Sequence, residues 1–191
     1  MDAERASLRV SHTRRSIRLR GYDYSRPGTY FVTLCTRDGN PLFGRLIAKR
    51  VRLSAAGRAA RECWLEIPKH FTNVTLDAFV IMPDHLHGMV IITDTLDRSS
   101  VGAQHAAPLR RTGGSAVLAR PEGPARGSLG AIVRAFKSAA TKRINAMRHK
   151  AGDSVWQRNY YDRIIRDVRE LQRARRYVYL NPSRWKDARE R

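Results

Sequence analysis

The chain is expected to fold as an α+β domain, an antiparallel sheet with helices packed on it, and three observations lead there. Apolar runs rich in β-branched and aromatic residues occur at 29–36, 74–82 and 86–93. Stretches with apolar residues at helical spacing alternate with them. A length of 191 residues suits one domain with a core of ordinary size.

Residues 1–20 form a basic arm in which Arg14, Arg15, Arg18 and Arg20 lie close together. It reads either as a segment that orders on a partner or as a solvated tail. TYFVTLCT at 29–36 is the first strand, and Asp38-Gly39-Asn40-Pro41 marks a turn after it. Ser54 is placed to cap a helix running to about His70, with Ala59, Cys63, Leu65 and Ile67 among its apolar positions. Residues 74–82 and 86–93 flank Pro83-Asp84-His85 and read as an antiparallel pair. Residues 94–127 are rich in Ala, Gly, Pro, Ser and Arg without an apolar period, and are expected to form a mobile basic insertion. Ser128 starts a second helix, with Leu129, Ile132, Val133, Phe136, Ala140 and Ile144 on one side and Arg134, Lys137, Lys142 and Arg143 on the other. VWQ and YYDRIIR follow as a fourth strand. A last helix runs from about Asp167 to Asn181, where Pro182 is expected to stop it, and 186–191 form a tail.

The order strand, helix, strand, strand, helix, strand, helix is the split βαβ arrangement of a ferredoxin-like sheet, with an extra C-terminal helix. One domain over 21–185 follows. Many unrelated functions use that architecture, so the fold assigns none.

Charge narrows the partners. Thirty-seven Lys and Arg against 17 Asp and Glu leave a net charge of +20. Such a surplus predicts a polyanion, because cationic side chains gain by displacing counterions from phosphates. It does not separate an enzyme from a catalytically silent nucleic-acid binder. The two cysteines, Cys35 and Cys63, form no CxxC pair, which excludes a zinc-finger or ribbon framework and gives no reason to expect a disulfide scaffold. No apolar stretch approaches the ~20 residues of a membrane helix and no export signal is visible, so a cytoplasmic protein associated with the nucleoid and not with membrane is expected.

The chemistry-bearing residues lie at the third strand and the last helix. Side chains alternate along a strand, so His85 and His87 share one face while Leu86 points to the other. Two imidazoles so placed can share a divalent metal, although an HxH tripeptide is often incidental and two histidines need a further ligand. In the last helix Val168, Leu171, Ala174 and Val178 follow the helical period and define the buried stripe. Tyr177 and, one turn on, Asn181 fall on one flank of that stripe and Tyr179 on the other. A phenol beside a metal-bound phosphate can attack phosphorus and conserve the bond energy as a phosphotyrosine. The alternative for Tyr177 is a half-buried packing tyrosine. Tyr22 and Tyr24 are candidates to stack on bases or to pack a turn, and Tyr160 and Tyr161 are expected to face opposite ways. Asp84 can orient an imidazole or simply serve the turn after Pro83.

PDHLHGMVII, VWQRNYYDRIIRD and RRYVYLNP, in this order, together with GYDYSRPGTYFVTLCTRDGNPLFG, resemble the HUH single-tyrosine transposases, and among them the REP-associated tyrosine transposases. The resemblance spans about residues 14–185 except the insertion. It implies Mg²⁺ or Mn²⁺ dependence, cleavage of single-stranded DNA near a hairpin, a 5′-phosphotyrosine intermediate and a monomer or homodimer. By position it makes His85 and His87 the metal ligands, Tyr177 the nucleophile and Asn181 the polar residue one turn later. Related transposases often have Gln there, so a shorter side chain must do the same work. Arg18, Arg20, Tyr22, Tyr24, Arg134, Lys137, Lys142 and Arg143 are the expected DNA contacts.

Overall fold

The computed structural model describes residues 19, 21–94 and 124–185. The basic arm with Arg18 and Arg20, most of the expected insertion and the C-terminal tail lie outside the described residues. Four strands form one antiparallel sheet: β1 (Gly28–Cys35), β4 (Val74–Ile81), β5 (His85–Ile92) and β6 (Tyr161–Ile165). Their spatial order is β4-β5-β1-β6. Helices α1 (Ala55–Leu65), the short α2 (Ile67–His70), α3 (Leu129–Arg148) and α4 (Val168–Arg184) complete the expected element order. A separate hairpin, β2 (Gly44–Ile47) and β3 (Arg50–Leu53), is an addition that the sequence pattern did not announce.

Local sequence accounts for the helix starts. Ser54 accepts the Gly57 N–H at 3.0 Å, Ser128 accepts that of Ala131 at 3.3 Å, and Asp167 accepts that of Glu170 at 2.7 Å. The helix expected to reach His70 breaks at Glu66, and Pro68 lies in the first turn of the short second segment. Pro182 does not stop the last helix. It lies inside α4, and the Trp185 N–H closes the final turn on the Asn181 carbonyl at 3.0 Å. Proline there removes only the bond to the carbonyl four residues back, so one loss in the last turn is tolerated.

The two faces of the sheet are covered unequally. Tyr30, Val32 and Leu34 of β1 and Leu86 and Val90 of β5 join Trp64 of α1 and Ile132, Phe136 and Ile144 of α3 in one buried cluster. All six apolar positions assigned to the second helix are buried. Gly88 of β5 makes room for this packing, because a Cβ there would run into the Trp64 indole. Gly88→Ala is therefore expected to cost about 1–3 kcal/mol by overpacking, read as a lower urea midpoint with an unchanged slope.

The opposite face is covered by α4, whose buried residues are Val178 and Asn181. Of the expected apolar stripe Leu171 and Ala174 are half-buried, while Val168 is 71% exposed because it opens the helix beyond the covered part of the sheet. Two ion pairs tie α4 down: Arg175 to Asp77 of β4 at 2.7 Å and Glu170 to Arg163 of β6 at 2.7 Å. The Arg175 hydrogen bond, the largest cause, holds the Asp77 carboxyl below its ordinary range. Asp77 sits in an irregularity of β4, between the regular pairings of Leu76 and Phe79.

Candidate active site

β5 opens with His85, and strand alternation sets His85 and His87 side by side with ring centroids 4.5 Å apart. Across the ladder they face Cys35 and Thr33 of β1. Each ring is held at Nδ1: His85 by the Asp84 carboxylate at 2.6 Å, and His87 by the Thr33 hydroxyl at 2.8 Å. Asp84 thus orients an imidazole as well as serving the turn, where its carbonyl accepts the Thr36 N–H at 2.8 Å. Phe31 of β1 stacks on His87 with centroids 5.5 Å apart and meets Tyr177 edge-on at 6.0 Å.

Helix α4 brings the tyrosine to this pair. Val178 is anchored in the protein, and the adjacent Tyr177 reaches over the strand until its hydroxyl lies 3.3 Å from His87 Nε2. Tyr177 is 45% exposed, so a substrate can reach the phenol. Tyr179 turns away from the histidines, as helical phase requires. The third strand, the last helix and the flank chosen from the sequence therefore converge at one place.

His87 is only 6% exposed. Burial, and secondarily the neighbouring His85, push its pKa down to about 3 against the opposing pull of Asp84. The ring is thus neutral across the physiological range, the form that offers a lone pair. Asn181 is buried one turn beyond Tyr177, and its Oδ1 has no hydrogen-bond partner among the described residues. A buried acceptor left unpaired costs about 1–3 kcal/mol, which makes this oxygen receptive to a donor or a cation. Among the described residues no group of three or more His, Cys, Asp and Glu side chains could hold a metal.

The other expected contacts are placed elsewhere. Arg134 and Lys142 are exposed on α3, which packs on the sheet face opposite the histidines. Lys137, expected to face phosphate, is instead engaged within the fold, where it donates to the carbonyls of Gln157 at 2.8 Å and Asn159 at 3.1 Å. Desolvation by burial lowers its pKa to about 8. Arg143 likewise pairs with Glu62 at 3.2 Å and Glu66 at 3.3 Å. Tyr22 and Tyr24 pack edge-on with centroids 5.1 Å apart, and both lie against the core cluster through Tyr30. That is the turn-packing alternative. Tyr160 precedes β6 and packs on the core with the Lys137 ammonium 5.7 Å from its ring, while Tyr161 opens the strand.

Sequence reasoning passed over three groups near the site. Thr33 and Phe31 are ordinary strand residues in sequence, and only the β1–β5 register reveals their place beside His87. The third group was legible: Arg173 and Arg176 are exposed on α4, Arg173 one turn before Tyr177.

No family model matches the chain. A protein of Haemophilus influenzae (strain Rd), described as uncharacterized, is 38% identical over 177 residues, 91% of this chain and 91% of that protein. Among solved structures, a REP-associated tyrosine transposase bound to a REP hairpin is similar with a TM-score of 0.54 and 15% identity. The similarity covers 85% of this chain and 70% of that one. At this identity what is shared is the fold.

Proposed function

We propose that this chain, which belongs to one family with the Haemophilus influenzae protein, is a transposase that nicks and rejoins single-stranded DNA through Tyr177. His85 and His87 would hold the divalent metal, Mg²⁺ or Mn²⁺. The observation that carries this reading is the Tyr177 hydroxyl 3.3 Å from His87 Nε2, with Nδ1 of both histidines already held by protein oxygens. When each Nδ1–H is donated to its oxygen, both Nε2 atoms carry the lone pair that a cation would take, and at His87 the cation would replace the hydrogen bond from the Tyr177 phenol. The unpaired Oδ1 of Asn181 would offer a third, neutral ligand of the type Mg²⁺ and Mn²⁺ accept. A bound divalent ion contributes Lewis acidity at the scissile phosphate.

The remaining work falls to the chain's own groups. Tyr177 Oη forms a bond to phosphorus as the bond from phosphorus to the 3′ oxygen breaks. The phenol proton passes to solvent and the departing oxygen takes one up, which leaves a free 3′-hydroxyl and a 5′-phosphotyrosine. Reversal by a 3′-hydroxyl restores the strand and the phenol without ATP. Thr33 and Phe31 fix the His87 ring, and Phe31 also packs against the edge of the Tyr177 ring. Arg173 and Arg176 offer charge for flanking phosphates. The REP hairpin bound by the transposase of the same fold favours a hairpin-bearing single strand as substrate. That substrate would place the protein with the chromosome in the cytoplasm, as a monomer or homodimer. No described helix is long and apolar enough to cross a membrane.

The test is a labelled hairpin oligonucleotide with Mn²⁺. The protein should nick it and form an adduct that survives SDS, and Tyr177→Phe should form none. Tyr161→Phe and Tyr179→Phe should still form it. An adduct from Tyr177→Phe would move the nucleophile elsewhere. Binding without any adduct from the unaltered protein would make it a silent nucleic-acid binder.

A further inference from the structure

We infer that the groove between the β2–β3 hairpin, edge strand β4 and the end of α4 takes an unpaired base of the DNA strand, stacked on Tyr179. The inference rests on the transposase reading and adds the path of the substrate beside the nucleophile. Tyr179 is 83% exposed, more than any other large hydrophobic side chain among the described residues. Packing does not account for it. Two positions beyond Tyr177, it lies across the helix and lines a groove of about 680 Å³.

The chemistry of that groove fits single-stranded nucleic acid. Val51, Leu180 and Pro182 give it apolar walls, Lys49, Arg50 and Arg61 give it charge, and no carboxylate lines it. The hairpin tip turns through Ala48 and Lys49, both at positive φ, which sets Lys49 and Arg50 at its exposed end. An aromatic face flanked by cations is how proteins hold unpaired strands without reading sequence. The groove also adjoins the active site. Val80, part of its lining, pairs directly with His87 across the β4–β5 ladder. A strand whose phosphate lies at Tyr177 can therefore pass the end of α4 and set a neighbouring base on Tyr179.

The experiment measures binding in EDTA, where no cleavage occurs, by fluorescence anisotropy. The probes are a hairpin with a single-stranded thymidine flank and the same hairpin without it. Tyr179→Ala should weaken binding of the flanked probe about tenfold or more, Tyr179→Phe should restore it, and the blunt hairpin should be indifferent to both. Replacing Lys49 and Arg50 together by alanine should flatten the salt dependence of the flanked probe alone. With 5-iododeoxyuridine in the flank, irradiation should cross-link Tyr179. Unchanged flank binding in Tyr179→Ala, or an equal loss with the blunt hairpin, would overturn the inference and leave the groove to another partner. Because the adduct assay at Tyr177 is independent, flank binding that depends on Tyr179 without any adduct would sink the catalytic reading and spare this one.

Discussion

His87→Ala should reduce DNA cleavage by about three orders of magnitude or more, while DNA binding and the cooperative fold persist. The magnitude follows from the several kcal/mol that a metal contributes to a phosphoryl transfer, at ~1.4 kcal/mol for each factor of ten. Binding should survive because it comes from the basic surface, most of which lies away from this ring. The substitution also removes the ring whose centroid lies 5.1 Å from that of Tyr177, so the phenol loses its edge-on packing partner. Asp84→Asn should do less. It keeps both rings but exchanges the carboxylate on His85 Nδ1 for an amide, and metal affinity should fall about 10–100-fold. Raising Mn²⁺ should restore cleavage in Asp84→Asn and fail to restore it in His87→Ala. Mn²⁺ binding followed by electron paramagnetic resonance, beside the nicking assay, separates the two. If His87→Ala lost its fold together with its activity, the histidine pair would be structural.

The second large effect concerns pH. The His87 pKa stands at about 3 in the folded chain against 6.5 for an ordinary histidine. Between those values the unfolded ring binds a proton and the folded one does not, so the unfolded state gains as pH falls. Stability is complete above pH 6.5 and declines below it. By pH 4.5 the loss from this residue is roughly 2–3 kcal/mol, at ~1.4 kcal/mol per unit. Urea unfolding in EDTA at pH 7 and pH 4.5 measures it, and His87→Gln should remove most of the difference. The Asp77 carboxyl, held low by Arg175, gives its contribution above the ordinary carboxylate pKa and loses it only at lower pH. Glu170, also held low, first by the Arg166 N–H, only begins to lose its contribution at the lower limit, so most of the loss over this interval belongs to the histidine. An unaltered slope in His87→Gln would show that some other group governs the acid limb.

The sequence made the main sheet and its helices readable because burial on one face leaves a period. TYFVTLCT alternates in and out of the core, and the apolar positions of the second helix recur at its own spacing. The β2–β3 hairpin left no such trace. GRLI and RVRL are four residues each and bury no residue fully. Their turn uses Ala48 and Lys49 at positive φ where Asn-Gly would have advertised it. At the site, His85, His87 and Tyr177 were legible because strand and helix phase depend on local spacing alone. Thr33, Phe31 and the fate of Lys137 were not, because they depend on which strand pairs with which and on where a loop lays its carbonyls. Pro182 misled for a related reason: a breaker's cost depends on how many helix bonds remain ahead of it, and here the helix had almost ended.

The unequal covering of the sheet has a consequence for how the protein can change. Its large apolar cluster lies on the α1–α3 side, whereas the Tyr177 phenol and both imidazoles lie on the other side, at a helix that buries two residues. Opening α4 exposes little apolar surface, so its amides should exchange with solvent at a lower free energy than those of α3. Substitutions along its outer face, Arg173 and Arg176 among them, should leave global unfolding nearly untouched. On the transposase reading, contacts to substrate made by that outer face can therefore be altered at little cost to folding, whereas changes on the other side of the sheet disturb the core.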